Sequence, residues 1–179
     1  AEATMKEDVR ILAGVPSWMA LVCQRVLEKS GESNLLDVWP NLWLYMHGGV
    51  GFAPYRRTFE SMLPPRKGDR RIHYLETYNA SEGFFAFQDS QKDKGLLLLL
   101  NHGIFYEFIE AETFFDKVQT VLSLEEVQMG INYVMIITTT AGLWRYNIGD
   151  TVQFISLNPF KILVSGKIKQ FISAFREHV

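Results

Sequence analysis

An α/β fold, with a parallel βαβ layer leading into a β-rich half, is what this 179-residue sequence predicts, and three observations carry it. An apolar run at residues 9–15, a helical pattern after Pro16 and a second apolar run at 42–46 give strand, helix and strand at the separation a parallel crossover needs. From Phe84 onward, helical periodicity gives way to short β-rich runs. With 47% of its residues hydrophobic and 13% aromatic, the chain has enough apolar material for one sizeable core, which argues for one domain.

Taken in order, Pro16 is well placed at a helix start, and Leu21, Val22, Val26 and Leu27 continue a helical repeat that Gly31 ends. The run at 42–46 closes on His47-Gly48-Gly49. After Pro54 an amphipathic segment extends to about Leu63, and residues 64–71 have the Pro, Gly and charge content of an exposed loop. A third strand is expected at 72–77, then strands at 84–88, 96–100, 104–109, 133–139, 152–156 and 161–164. Residues 166–179 read as a polar tail that stops at a hinge. Ala1 stands where an initiator Met would, already within an amphipathic stretch, so the expectation is a piece of a longer protein.

Composition excludes several classes. The net charge of -2, with acidic and basic residues interspersed, offers no positive field for a nucleic acid backbone. Cys23 is the only cysteine, so no internal disulfide or cysteine-cluster metal site exists, and a cytoplasmic location is expected. The longest aliphatic run, 96–100, falls far short of the roughly 20 residues of a membrane helix. His47, His73, His102 and His178 lack metal-site spacing and read as structural or surface residues.

Three turns carry chemistry-bearing groups. Gly48-Gly49-Val50-Gly51 closes a strand, where ligands approach the backbone in parallel α/β sheets, although a glycine-rich turn is more often a plain tight turn with no ligand. Tyr78-Asn79-Ala80-Ser81-Glu82 also follows a strand. Tyr78 is able to stack on adenine, Ser81 to donate to a phosphate oxygen and Glu82 to hold a hard cation, with a polar turn and a structural Tyr as the alternative. In Tyr146-Asn147-Ile148-Gly149-Asp150, read as a turn between two strands, Asp150 is able to accept both ribose hydroxyls; an ordinary Gly-Asp turn competes. Glu107 and Glu110 differ in strand parity and so do not pair, while Ser123-Leu124-Glu125-Glu126 matches a helix capping box.

Together with Ala13-Gly14-Val15-Pro16-Ser17-Trp18, Thr139-Thr140-Ala141-Gly142-Leu143-Trp144-Arg145 and Gly166-Lys167-Ile168-Lys169, these segments resemble the auxin-responsive acyl acid amido synthetases, known from plants and bacteria. The resemblance implies part of the large N-terminal domain of an adenylate-forming enzyme of the firefly luciferase superfamily. In this division 1–165 belong to that domain (1–83 the α/β layer, 84–165 the β-rich part), and 166–179 form the hinge, at Lys169, and the start of a C-terminal domain.

The implied reaction is adenylation of a carboxylic acid by Mg-ATP, then attack by an amino acid amine, in a monomer. Gly48, Gly49, Val50, Tyr78, Asn79, Ser81, Asp150 and Lys167 would bind the nucleotide, Glu82 would hold Mg²⁺, and Ser81 and Glu82 would carry the catalytic roles. Lys167 stands where the family usually has Arg, keeping the charge but not the bidentate fork. The family's upstream phosphate loop has no counterpart here, so this piece alone is expected not to turn over. A nucleotide-binding regulatory module and a ligase that uses CoA or another thiol are the rival readings.

Overall fold

The computed structural model describes residues 1–65 and 71–168; most of the expected 64–71 loop and the hinge at Lys169 lie outside the described residues. Two compact units divide the chain, Ala1–Ala80 and a second from Ser81 onward, near the expected change from α/β to β at residue 83.

In the first unit three parallel strands, β1 (Ile11–Ala13), β2 (Leu44–Gly48) and β3 (His73–Ala80), are ordered β1-β2-β3. Helix α1 (Pro16–Ser30) connects β1 toward β2, starts with Pro in its first turn and stops at Gly31, whose φ of 74° forms the left-handed cap. A one-turn helix, α2 (Leu35–Val38), was not expected from the sequence. Asn34 caps it by accepting from the backbone N–H groups of Leu36 and Asp37. Helix α3 (Arg56–Met62) matches the amphipathic segment after Pro54.

The core of this unit is aromatic. Tyr45 stacks on Phe59 with centroids 4.6 Å apart and donates through its hydroxyl to the Gly14 carbonyl at 3.0 Å. Trp39, fully buried, donates from Nε1 to the Thr4 carbonyl. Helix α1 turns Pro16, Ala20, Cys23 and Val26 inward. Leu21 and Val22, which defined the helical repeat in the sequence, are exposed instead, with Trp18 beside them at 70% exposure. The repeat identified the helix but not its inward side, because apolar residues lie on both faces.

The second unit is an antiparallel sheet in the order β4-β5-β9-β8-β7-β6, built from β4 (Gly83–Gln88), β5 (Leu96–Leu98), β6 (Ile104–Glu110), β7 (Asn132–Thr139), β8 (Tyr146–Leu157) and β9 (Phe160–Lys167). Phe108, Tyr133 and Phe154 meet edge to face at its centre, all fully buried. On the opposite face Ile109, Val134, Ile136 and Ile168 form a smaller cluster.

Four sequence-based expectations change here. The second strand runs on to Gly48, and the third to Ala80, so Gly48, Tyr78 and Asn79 are strand residues rather than parts of a loop. Tyr146 to Asp150 lie within β8; the turn sits at residues 140–145. Gly166 and Lys167 belong to β9, so the sheet extends past the expected start of the hinge. Ser123 and Glu126 form only half of a capping box: the Glu126 carboxylate accepts from the Ser123 N–H at 2.7 Å and from its hydroxyl at 2.8 Å, while the Glu126 N–H bonds the Ser123 carbonyl, closing a turn that no helix follows. Among the described residues, no helix is long and apolar enough to cross a membrane.

Candidate nucleotide site

Within the first unit, β2 and β3 end side by side, with Gly48 level with Thr77. A β-carbon on Gly48 would sit 2.5 Å from the Thr77 carbonyl oxygen and 2.7 Å from its hydroxyl, so this close approach admits only glycine. Thr77 Oγ1 donates to the His47 carbonyl at 3.1 Å and lies 3.2 Å from Asn79 Oδ1. Beyond Gly48 the backbone turns at Gly49, where φ is 81°, and Val50 is exposed.

Strand alternation places Tyr78 on the face shared with Tyr74 and Glu76, and Asn79 on the face of Gly48 and Thr77. Tyr78 is buried, at 7% exposure, whereas Asn79 is exposed. The two residues therefore reach a ligand only around the strand end, not from one surface.

Ser81 and Glu82 form the turn that leads into β4, Ser81 exposed and Glu82 half-buried. Among the described residues no three His, Cys, Asp or Glu side chains gather into a metal cage. A single carboxylate suits Mg²⁺, which is commonly held by one or two carboxylates and the substrate's phosphates.

In the second unit Asp150 and Lys167 face each other across the β8/β9 ladder, and Lys167 Nζ donates to Asp150 Oδ1 at 2.5 Å. The carboxylate is largely buried and the ammonium largely exposed. Two features kink the backbone just before Asp150. Gly149 has φ 80°, and its N–H donates to Asn147 Oδ1 at 2.8 Å. The Ile168 N–H then bonds the Gly149 carbonyl at 2.8 Å, tying the end of β9 to this kink.

From the sequence Arg145 stood out only within a segment of the family resemblance, and His47 read as a structural or surface residue. Arg145 adopts φ 45°, rare for a residue with a side chain, donates from its backbone N–H to Thr138 Oγ1, and bridges Glu107 at 3.0 Å. Its neighbour Trp144 is 82% exposed. His47 is 3% exposed with its Nδ1 unpaired, and burial, reinforced by the Arg56 charge, pushes its pKa down to about 4. Its parity with Tyr45 was the available signal, because residues two apart on a strand share a face.

Residues 97–166 match the family model described as the GH3 family central domain. The chain is similar in structure to the acyl acid amido synthetase AtGH3.15 in complex with 2,4-DB, with 20% identity, a TM-score of 0.59, and 79% of this chain and 25% of that chain covered. It is also similar to a long-chain-fatty-acid-CoA ligase (FadD1) from Archaeoglobus fulgidus, with 13% identity, a TM-score of 0.60, and 98% and 37% covered. A third likeness is to an open conformation of 2-hydroxyisobutyryl-CoA ligase in complex with 2-HIB-AMP and CoA, with 14% identity, a TM-score of 0.62, and 93% and 38% covered. No curated protein sequence matches it. The chain spans about a quarter of the length of the synthetase and under two-fifths of the two ligases. Its α/β fold is that of the adenylate-forming enzyme domains, and within it residues 97–166 match the GH3 family central domain.

Proposed function

We propose that this chain is the central, nucleotide-handling part of an ATP-dependent acyl acid amido synthetase. The carboxylate of an acyl acid attacks the α-phosphate of ATP, pyrophosphate leaves, and the acyl adenylate passes its acyl group to the amine of an amino acid as AMP departs. The observation that carries this reading is the buried Asp150 carboxylate held by Lys167 at the β8/β9 kink, Asp150 itself lying inside the segment that matches the family model.

A buried carboxylate is a strong acceptor for paired hydroxyls such as those of a ribose. Lys167, mostly exposed, is free to turn toward a phosphate oxygen without stranding the acid in an apolar site. On the first unit, Gly48, Gly49 and Val50 line the adenine edge, Asn79 offers its amide to the base, and Tyr78 supports the ring. Ser81 donates to a phosphate oxygen. Glu82 is the residue to hold Mg²⁺, which when bound neutralises the charge that builds up on the departing pyrophosphate.

Acid-dependent exchange of pyrophosphate into ATP, measured on the complete protein against a panel of carboxylic acids, tests adenylation. The expected outcome is exchange with at least one acid in wild type, none in Glu82→Ala, and a raised KM for ATP in Asp150→Ala. Undiminished exchange in Glu82→Ala would sink the metal-ligand role, and silence with every acid would favour a binding module that ligates nothing.

A second reading is favoured by the likeness to the two CoA ligases, which covers 93–98% of this chain against 79% for the synthetase. The features described serve the adenylation step that both reactions share. Offering amines and thiols in parallel and identifying the product, amide or thioester, separates the two.

A further inference from the structure

Residues 48–51 leave β2, turn at Gly49 and return to the core at Phe52, and Val50 and Gly51 make no hydrogen bond of their own among the described residues. Something other than backbone pairing must fix the shape of this segment. The two residues that flank it are His47 and Phe52, and their rings stack with centroids 4.0 Å apart and planes 19° from parallel. We propose that His47 is a positioning residue: its imidazole clasps Phe52 and so holds the 48–51 segment in the shape that receives the nucleotide. The proposal rests on the synthetase reading for what the segment binds, but not for the clasp itself.

The surroundings of His47 argue for more than filling of the core. Tyr45 lies 5.5 Å away on the same strand, and the Arg56 guanidinium sits 5.3 Å from the centroids of both Phe52 and Tyr74, so a cation already occupies the faces of this aromatic group. Glu76 is the register neighbour across β3. A second cation on the imidazole would oppose Arg56, which fits the depressed pKa of about 4 and keeps the ring neutral. A neutral ring stacks well, yet its buried Nδ1 is left unpaired, at a cost an aliphatic or aromatic residue would avoid. The His47 backbone ties the clasp to the neighbouring strand, because its carbonyl accepts from Thr77, next to Tyr78.

The test compares His47→Leu, which removes the stack, with His47→Phe, which keeps a ring and removes only the nitrogens. In the complete protein, amide hydrogen exchange over residues 48–52 is expected to quicken about tenfold in the Leu variant, to stay near wild type in the Phe variant, and to leave α1 unchanged in both. The KM for ATP should rise about tenfold in His47→Leu, with kcat within about threefold, and recover in His47→Phe. Unaltered exchange at 48–52 in His47→Leu overturns the proposal, as does an equal rise in α1, which would make the role general stability. Phe52→Leu attacks the same stack from its other side, and failure of both Leu variants to fold overturns the proposal too. If wild type shows no pyrophosphate exchange with any acid while the 48–52 amides respond as expected, the synthetase reading fails and the clasp stands.

Discussion

At Gly48 the decisive quantity is a distance. A methyl group there would meet the Thr77 backbone carbonyl at 2.5 Å, and backbone held in a strand ladder moves less readily than a side chain. Gly48→Ala is therefore expected to lower stability by about 1–3 kcal/mol in urea unfolding; an unchanged midpoint would mean that β2 and β3 separate more easily than their register suggests. Asp150 poses the complementary case. Its partner Lys167 is mostly exposed, so the bridge itself contributes about 1 kcal/mol or less. Lys167→Ala should shift the melting temperature little but weaken ATP binding several-fold, measured by calorimetry on the complete protein, and Lys167→Arg should retain affinity by supplying a planar fork. Neither residue's setting was visible in the sequence, where Gly48 and Asp150 both read as turn residues.

Helix α1 makes the point for elements. Pro16 and Gly31 marked both its ends, and the structure places its first residue and its cap there. Which side faces inward was not marked, because Trp18, Leu21 and Val22 are as apolar as Ala20, Cys23 and Val26. Val26→Asp, a charge in a fully buried position, should prevent folding of the first unit. Trp18→Ser should leave the thermal midpoint within a degree or two, since 70% of that residue is already in water. Equal losses from both substitutions would show that the outer face is covered in the complete protein. At β8 the same logic runs in reverse. The pattern located 152–156, but the polar residues from Tyr146 to Asp150 disguised the strand's first half, which exists because β7 offers a ladder on one side and β9 on the other for part of its length.

For the molecule's response to acid, two groups of the first unit, the buried His47 and the half-buried Glu76, act with opposite signs. His47 has its folded pKa depressed from 6.5 to about 4, so the unfolded chain binds a proton that the folded one refuses between those values. Stability thus falls as pH drops from about 6.5 to about 4, by up to about 2–3 kcal/mol, and levels off below. Glu76, raised by burial, favours the folded state at low pH and gives up that contribution as pH rises through its folded pKa. In urea titrations from pH 7 to pH 4, His47→Phe should therefore lose less stability than wild type; an equal loss would assign the acid sensitivity to other groups.

By itself the sequence determined what depends on neighbours along the chain: the helix ends at Pro16 and Gly31, and the segments that carry the family resemblance. Tertiary structure alone decided which residues came to lie within hydrogen-bonding or stacking distance. Lys167 reaches Asp150 only because β9 pairs with β8, seventeen residues apart. His47 meets Phe52 only because the chain doubles back over a glycine. Those contacts depend on ladder register and on burial, and both are properties of the assembled sheets and cores rather than of any local run of residues.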